Sequence, residues 1–271
     1  MPFSGTSADH PTPRVGVQLH PQHCDLGELR AAWRAADDLG ADSIWVWDHF
    51  VPHTGDPEGR HYECWSLLSA MAVETRRAAI GSLVTCTAYR NPHLLADQAR
   101  TVDLLSGGRL VLGVGAGWFE QEHLEYGYPF PGPGARIDAF EAAVTAIRER
   151  LGRLNPGPAG PLPLLIGGGG AKRTLAAVAR FADLWNWYGW EAGDPVEEFR
   201  SRSRLLDEWC ERVGRDPREI GRTVMIDAPQ TGLAREFAAA GATEIIVSVP
   251  GPFDLAPLRE LLGVRDASAA R

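Results

Sequence analysis

The chain has 271 residues, 44% hydrophobic and 23% charged, with a formal net charge of −8. That balance suits a globular protein, and an acidic chain without a basic run or basic helix face is a poor partner for nucleic acid. No apolar run approaches the roughly 18 residues that cross a bilayer. The four cysteines (Cys24, Cys64, Cys86, Cys210) include no C-x-x-C pair, which speaks for reduced thiols in a cytoplasmic protein over disulfides or a zinc site.

The segment 1–13 is polar and Pro-rich and reads as a frayed tail, not a signal peptide. From residue 14 onward, apolar periodicity alternates between strand and helix. "RVGVQLH" (14–20) is followed by a helical pattern over 26–40 that stops at Gly40, and "DSIWVW" (42–47) by a helix over 63–75. "AAIGSLVTC" (78–86) precedes a helix over 93–106, and "RLVLGVG" (109–115) one over 135–152. "LPLLIGG" (162–168) leads to 171–182, "DLWNWY" (183–188) to 194–214, "GRTVMID" (221–227) to 231–241, and "ATEIIVSV" (242–249) to 254–262. The stretches 51–62, 119–134 and 153–161 read as the main loops, and 265–271 as a C-terminal tail.

Eight strand-then-helix pairs with strands apolar on both faces predict parallel pairing under a double cover. The fold class is therefore α/β, a single (β/α)8 barrel over residues 14–264. Barrels of this kind carry their chemistry at the C-terminal ends of the strands. That places Asp48-His49, which ends the second strand, at the mouth, with His20, the Thr85–Thr87 stretch, "GVGAGW" (113–118), "GGGG" (167–170), Trp187-Tyr188 and Asp227. Imidazoles, indoles, small hydroxyls and two glycine turns suit a planar heterocycle with a phosphate-bearing tail.

The glycine turn in "GGGGAKRT" before a helix exposes N–H groups at the positive end of the helix dipole. Lys172, the only lysine in the chain, and Arg173 stand in the first turn, where cations oppose the dipole unless an anion is bound. A plain tight turn with both bases in solvent is the alternative. "GVGAGW" lacks the further glycine and downstream acid of a Rossmann site. A metal cluster can be drawn from His20, His23, His49 and Asp227, as in barrel hydrolases, but no H-x-H pair supports it and no metal is expected. For His49 the bland reading is a structural histidine hydrogen-bonded to Asp48.

"ADSIWVWDHF", "GSLVTCTAYRNPHLLADQARTVDLLSGGRLVLGVGAGW" and "LLIGGGGAKRTLAAVARFADLWN" resemble the bacterial luciferase-like superfamily, within it the branch that uses the deazaflavin coenzyme F420. The resemblance covers Val15 to Asn186 and implies the same barrel. It implies that Asp48 and His49 contact the deazaflavin ring, the histidine acting as a proton-relay or electrostatic group. It further implies a non-prolyl cis peptide near Leu83-Val84, with Leu83, Val84, Thr85 and Cys86 behind the ring. The phosphate-side turns would be Gly115, Ala116 and Gly117, and Gly167, Gly168, Gly169 and Gly170, with Lys172 and Arg173. In the deazaflavin-dependent sugar-phosphate dehydrogenases the position of Trp118 is a catalytic glutamate and that of His53 a tryptophan, so these departures speak against sugar-phosphate oxidation. The short 153–161 segment, where relatives often carry a substrate-covering insertion, implies a more open mouth or different subunit packing.

The expected function is hydride transfer between F420 and a small organic substrate, with His49 tuned by Asp48 handling the proton. His20, His53, Trp118 and Trp187 are expected to wall the substrate pocket. An FMN-dependent monooxygenase and a non-catalytic cofactor-binding subunit are the alternatives. A homodimer is the expected assembly.

Overall fold

Each strand is apolar on both faces because it is covered twice, by the barrel interior on one side and an outer helix on the other. The computed structural model describes residues 12–189 and 193–269. In chain order the elements are β1 (Arg14–Leu19), α1 (Leu26–Leu39), β2 (Ser43–Val46), α2 (Cys64–Glu74), β3 (Ala79–Ser82), β4 (Thr85–Cys86), α3 (Pro92–Ser106), β5 (Leu110–Gly115), α4 (Glu120–Glu125) and α5 (Pro133–Leu151). They continue as β6 (Leu164–Gly167), α6 (Thr174–Phe181), β7 (Leu184–Tyr188), α7 (Pro195–Val213), β8 (Gly221–Asp227), α8 (Ala234–Ala239), β9 (Glu244–Val249) and α9 (Ala256–Ala269).

All pairings between these strands are parallel, and β1 lies between β2 and β9. The contacts β3–β5 and β4–β5 close the sheet. β3 and β4 are two halves of one stave, interrupted at Leu83–Val84, where the peptide bond is cis. The closed cylinder therefore has eight staves, the (β/α)8 barrel that the alternation predicts.

Local signals set the helix ends. Asp25, Asn91 and Asp194 cap α1, α3 and α7 by accepting from backbone N–H groups of the first turn. Gly40 ends α1 in the left-handed region at φ 92°.

Inside the cylinder Trp45, Val111, Leu165, Leu184 and Ile246 pack together. The indole of Trp45 fills the space opposite Gly81, where a Cβ would come within 2.5 Å of Trp45 Cζ3 and 2.6 Å of the Val111 carbonyl. The outward faces, including Ile44, Val46, Trp185 and Trp187, join the larger core beneath the helices.

Three boundaries differ from the sequence reading. The 119–134 stretch is not all loop, because residues 120–125 form α4 and bury Glu122 and His123. Of the expected C-terminal tail, residues 265–269 belong to α9, with Arg265 Nη1 on Asp42 Oδ2 at 2.8 Å. The 153–161 segment enters β6 from the floor of the barrel: Ala159 and Gly160 donate to Asp103 Oδ2 at 2.8 and 3.0 Å, beside the start of β5. Its brevity has no bearing on the mouth, which residues 116–137 flank instead. Most of the expected N-terminal tail, residues 1–11, lies outside the described residues.

Candidate active site

A cavity of about 1020 Å³ opens at the C-terminal ends of the strands, at the upper end of the range of roughly 300–1,000 Å³ typical of ligand sites. Its size leaves room for a ring-bearing cofactor and a small second molecule.

The alternation of β2 turns Trp45 inward, and continuing it aims Trp47 and His49 into the cavity. The ring of His49 is held from behind: Nδ1 donates to Glu122 Oε2 at 2.7 Å. Glu122 is fully buried and also accepts from Tyr89 Oη at 2.6 Å, Phe50 N at 2.5 Å and Val51 N at 3.1 Å. Burial pushes its carboxyl upward, but the hydrogen bonds from His49, Tyr89 and Phe50 outweigh that and hold it below the usual carboxylate range. Nε2 of His49 makes no hydrogen bond among the described residues, so the imidazole presents a free nitrogen while the other is fixed.

Asp48 does something else. Its carboxylate takes the Arg90 guanidinium at 2.5 and 3.0 Å and the Cys86 N–H at 3.1 Å. Burial raises this carboxyl above its ordinary value, against the opposing pull of Arg90 and the Cys86 N–H. A carboxylate held on both oxygens ties the end of β2 to β4, and its hydrogen-bond partners are Arg90 and Cys86 N, not the imidazole. The expected pairing of Asp48 with His49 is therefore corrected. The acid that His49 uses is Glu122, 73 residues further along the chain.

His20 and His53 flank the same indole, their ring centroids 4.3 and 4.5 Å from Trp47. His20 Nε2 lies 2.7 Å from Ser248 Oγ. His53 also stands 4.7 Å from the His49 ring. Burial, then the charge of a neighbouring histidine, lowers both His20 and His53 to about 4, so both imidazoles are neutral at pH 7. Trp118 is 61% exposed and sets its indole edgewise to His49 and His53 at 5.8 and 6.0 Å. It forms the rim, where it is free to cover an incoming ligand.

The glycine-rich turn after β6 lies across the cavity. Its carbonyls are pulled outward by three side-chain donors: Trp185 Nε1 to Gly168 O at 2.8 Å, Arg202 Nη1 to Gly169 O at 2.8 Å, and Trp209 Nε1 to Ala171 O at 2.9 Å. Because each peptide is planar and trans, the N–H groups that follow (Gly169, Gly170, Lys172) point the opposite way. Gly168 takes φ 122°, open to glycine but not to other residues, and a Cβ at Gly170 would lie 2.6 Å from Thr174 Oγ1. α6 starts at Thr174, so Lys172 and Arg173 sit in the turn ahead of it, not in its first turn. Lys172 has no ion-pair partner among the described residues, whereas Arg173 is engaged by Asp138 and the Gly134 carbonyl.

Of the residues expected at the site, Leu83, Val84, Cys86, Gly115, Ala116, Gly117, Gly167, Gly168, Gly170, Lys172 and Arg173 line this cavity, as do Asp48, His49, His20, His53 and Trp118. Three do not. Thr85 is fully buried and donates to Ser82 Oγ at 2.7 Å. Gly169 and Trp187 pack against each other. Trp187 belongs to the outward face of β7 with Phe199, because alternation gives the cavity to its neighbours Asn186 and Tyr188. The metal alternative drawn from four residues finds each on its own partner: His20 on Ser248, His23 on the Thr54 carbonyl, His49 on Glu122, and Asp227 on the Tyr188 hydroxyl. Glu122, Tyr89 and Arg90 escape a sequence reading because their roles depend on partners 33 to 73 residues away. A local sign is the run of acids in α4, set in an aromatic-rich stretch.

A flat ring with an anionic tail fits what is present. Gly170 and Lys172 of the turn line the cavity together with the apolar wall of Leu83, Val84 and Cys86. No helix among the described residues is long and apolar enough to cross a membrane.

The barrel with its cavity at the strand ends defines a (β/α)8 protein whose candidate site lies at the mouth. The luciferase-like monooxygenase profile matches residues 10–240, and the chain belongs to that family. It is 34% identical over 139 residues to an F420-dependent glucose-6-phosphate dehydrogenase of Amycolatopsis mediterranei (strain U-32), covering 50% of this chain and 41% of that protein. The chain thus spans less than half the length of that relative. Its fold is similar to that of an F420-dependent secondary alcohol dehydrogenase in complex with an F420-acetone adduct (TM-score 0.81, 17% identity, 96% of this chain and 99% of the other). It is also similar to the oxygenating constituent of 3,6-diketocamphane monooxygenase from the CAM plasmid of Pseudomonas putida in complex with FMN (TM-score 0.69, 12% identity, 93% and 96%).

Proposed function

We propose that the chain is an oxidoreductase that moves a hydride between coenzyme F420 and a small organic substrate. The observation that carries this reading is His49, fixed on Glu122 through Nδ1 and free at Nε2 inside the cavity. The deazaflavin, when bound, supplies the hydride chemistry.

The chain's own residues do the rest. Lys172 and the turn amide of Gly170 hold the anionic tail. Leu83, Val84 and Cys86 back the ring, and Asp48, anchoring Cys86 N, keeps that wall in place. His49 gives or takes the proton that accompanies the hydride. Ionised Glu122 fixes the tautomer and favours the imidazolium when it forms. Trp47 and Trp118 exclude water from the space beside it.

A second reading, an FMN-dependent monooxygenase, draws support from the family match itself. Titration of the purified protein with each cofactor, followed by tryptophan fluorescence, separates the two, since Trp47 and Trp118 line the cavity. Saturable quenching by F420 with weaker binding of FMN is expected. The reverse order favours the monooxygenase, and no quenching by either removes both.

A further inference from the structure

The barrel interior is apolar below the cavity and polar where the cavity begins. Asn186 and Ser248 follow Leu184 and Ile246 of the interior cluster by two residues, one pleat nearer the mouth. With Gln18 of β1 they line the cavity, and all three are buried. A polar side chain taken out of water at that depth needs a partner. Asn186 Nδ2 meets Thr223 Oγ1 at 2.8 Å, Ser248 Oγ meets His20 Nε2 at 2.7 Å, and Gln18 Nε2 donates to Leu83 O at 2.9 Å.

The last of these bonds fixes which way its side chain faces. A carbonyl only accepts, so the nitrogen of the Gln18 amide turns to Leu83 and the oxygen turns away. A hydroxyl partner leaves the Asn186 amide able to present either atom. Gln18 is 2% exposed, yet its Oε1 meets no donor among the described residues. Holding the Leu83 carbonyl requires a donor alone; the oxygen is left as a buried acceptor on the cavity, which a ligand N–H would satisfy. Its place is specific. Leu83 belongs to the wall that backs the ring in the proposed function, so the amide bound to its carbonyl stands at the edge of that wall. Ser248, the register partner of Gln18 on the adjacent strand, sets a hydroxyl beside it. The barrel has eight staves, and β6 stands four steps from β1 in either direction around it. The glycine turn with Lys172 therefore lies across the mouth from Gln18.

From this geometry we infer that Gln18 orients the bound ring, its Oε1 accepting the imide N–H of a pyrimidinedione edge. The inference rests on the cofactor reading and adds to it a specificity residue and a direction, the imide edge towards β1 and the anionic tail towards β6. It applies to F420 and FMN alike, because each ring carries an N–H between two carbonyls. A ring methylated at that nitrogen leaves Oε1 without a donor and is selected against.

The test uses two fluorescent rings without a phosphate, riboflavin and its 8-hydroxy-5-deaza analogue, each beside its N3-methyl derivative. Ring fluorescence is titrated on the parent protein and on Gln18→Met, which has similar length but no acceptor. On the parent protein the better-bound ring should lose about tenfold or more in affinity on methylation. In Gln18→Met the two forms should bind within about twofold of each other. Damage to the Leu83 wall alone would weaken both forms alike and keep the tenfold ratio, so an unchanged ratio in the variant overturns the inference. Indifference of the parent protein to the methyl group overturns it, and so does failure to bind either ring. Thermal melting reports the fold, and Gln18→Leu repeats the comparison where Gln18→Met does not fold. The two readings fail separately. Tryptophan quenching by intact F420 or FMN without the N–H preference keeps the cofactor and removes the role of Gln18; the preference in a protein that transfers no hydride keeps Gln18 and removes the oxidoreductase.

Discussion

His49 Nδ1 and Glu122 Oε2 are 2.7 Å apart, and the carboxylate is fully buried. This contact joins the end of β2 to α4 and leaves the opposite nitrogen of the imidazole facing the cavity. Glu122→Gln keeps an acceptor for Phe50 N and Val51 N but removes the negative charge behind the ring. A fall in kcat of about 10- to 100-fold, with cofactor affinity nearly unchanged, is expected of a lost orienting partner. Steady-state kinetics beside a fluorescence titration measure both, and an unchanged kcat would separate Glu122 from the reaction.

Removing the imidazole itself should cost more. His49→Ala is expected to lower kcat by about 10²- to 10⁴-fold, the usual contribution of a positioned acid–base group. Asp48→Asn should act differently. It weakens the hold on Arg90 and Cys86 N, so loss of thermal stability and of cofactor affinity should precede any selective effect on turnover. Equal turnover by His49→Ala and the parent protein would take the proton step away from this residue.

Lys172 and Arg173 are adjacent but unequal. Lys172→Ala removes a cation without an ion-pair partner among the described residues, and a charged hydrogen bond of about 1.5 kcal/mol corresponds to roughly tenfold weaker cofactor binding. Arg173 is already engaged by Asp138 and the Gly134 carbonyl, so Arg173→Ala should cost less than about threefold. The two dissociation constants, measured at low and high salt, decide whether the turn binds an anion.

At the join between β3 and β5 the backbone leaves no room for a side chain. A Cβ on Gly113 would lie 1.9 Å from the Ser82 carbonyl oxygen. Gly113→Ala should therefore destabilise the fold by about 3 kcal/mol through forced strand separation. Urea denaturation followed by tryptophan fluorescence gives the value.

His20, His53 and His61 are each lowered from 6.5 to about 4, first by burial. In the folded chain they stay neutral, whereas the unfolded chain takes up protons below pH 6.5. Stability is thus complete above that pH and is lost progressively as pH falls from 6.5 towards 4. Melting temperatures across pH 7 to 4 should decline, and His53→Gln should flatten the slope by removing one of the three groups.

Much of the architecture was legible because it is written in local periods. Runs such as "GRTVMID" and "ATEIIVSV" coincide with β8 and nearly with β9, since a strand covered on both faces favours near-continuous apolar runs rich in Val and Ile. The position of His49 at a strand end followed from the barrel, and the glycines of 167–170 from the need for a sharp turn. Trp187 was misplaced because the adjacent aromatics Trp187 and Tyr188 look alike in sequence, and only the pleat decides which of them faces the helices.

The chain by itself determined the number and order of the staves, the helix caps and the two glycine turns, because each depends on neighbours a few residues away. Only the tertiary structure decided that Asp48 serves Arg90, that Glu122 serves His49, and that the cations stand across the mouth from the imidazoles. These relationships join residues far apart in the chain, and hydrogen bonds and charges act through distance in space, about which spacing along the chain carries no information.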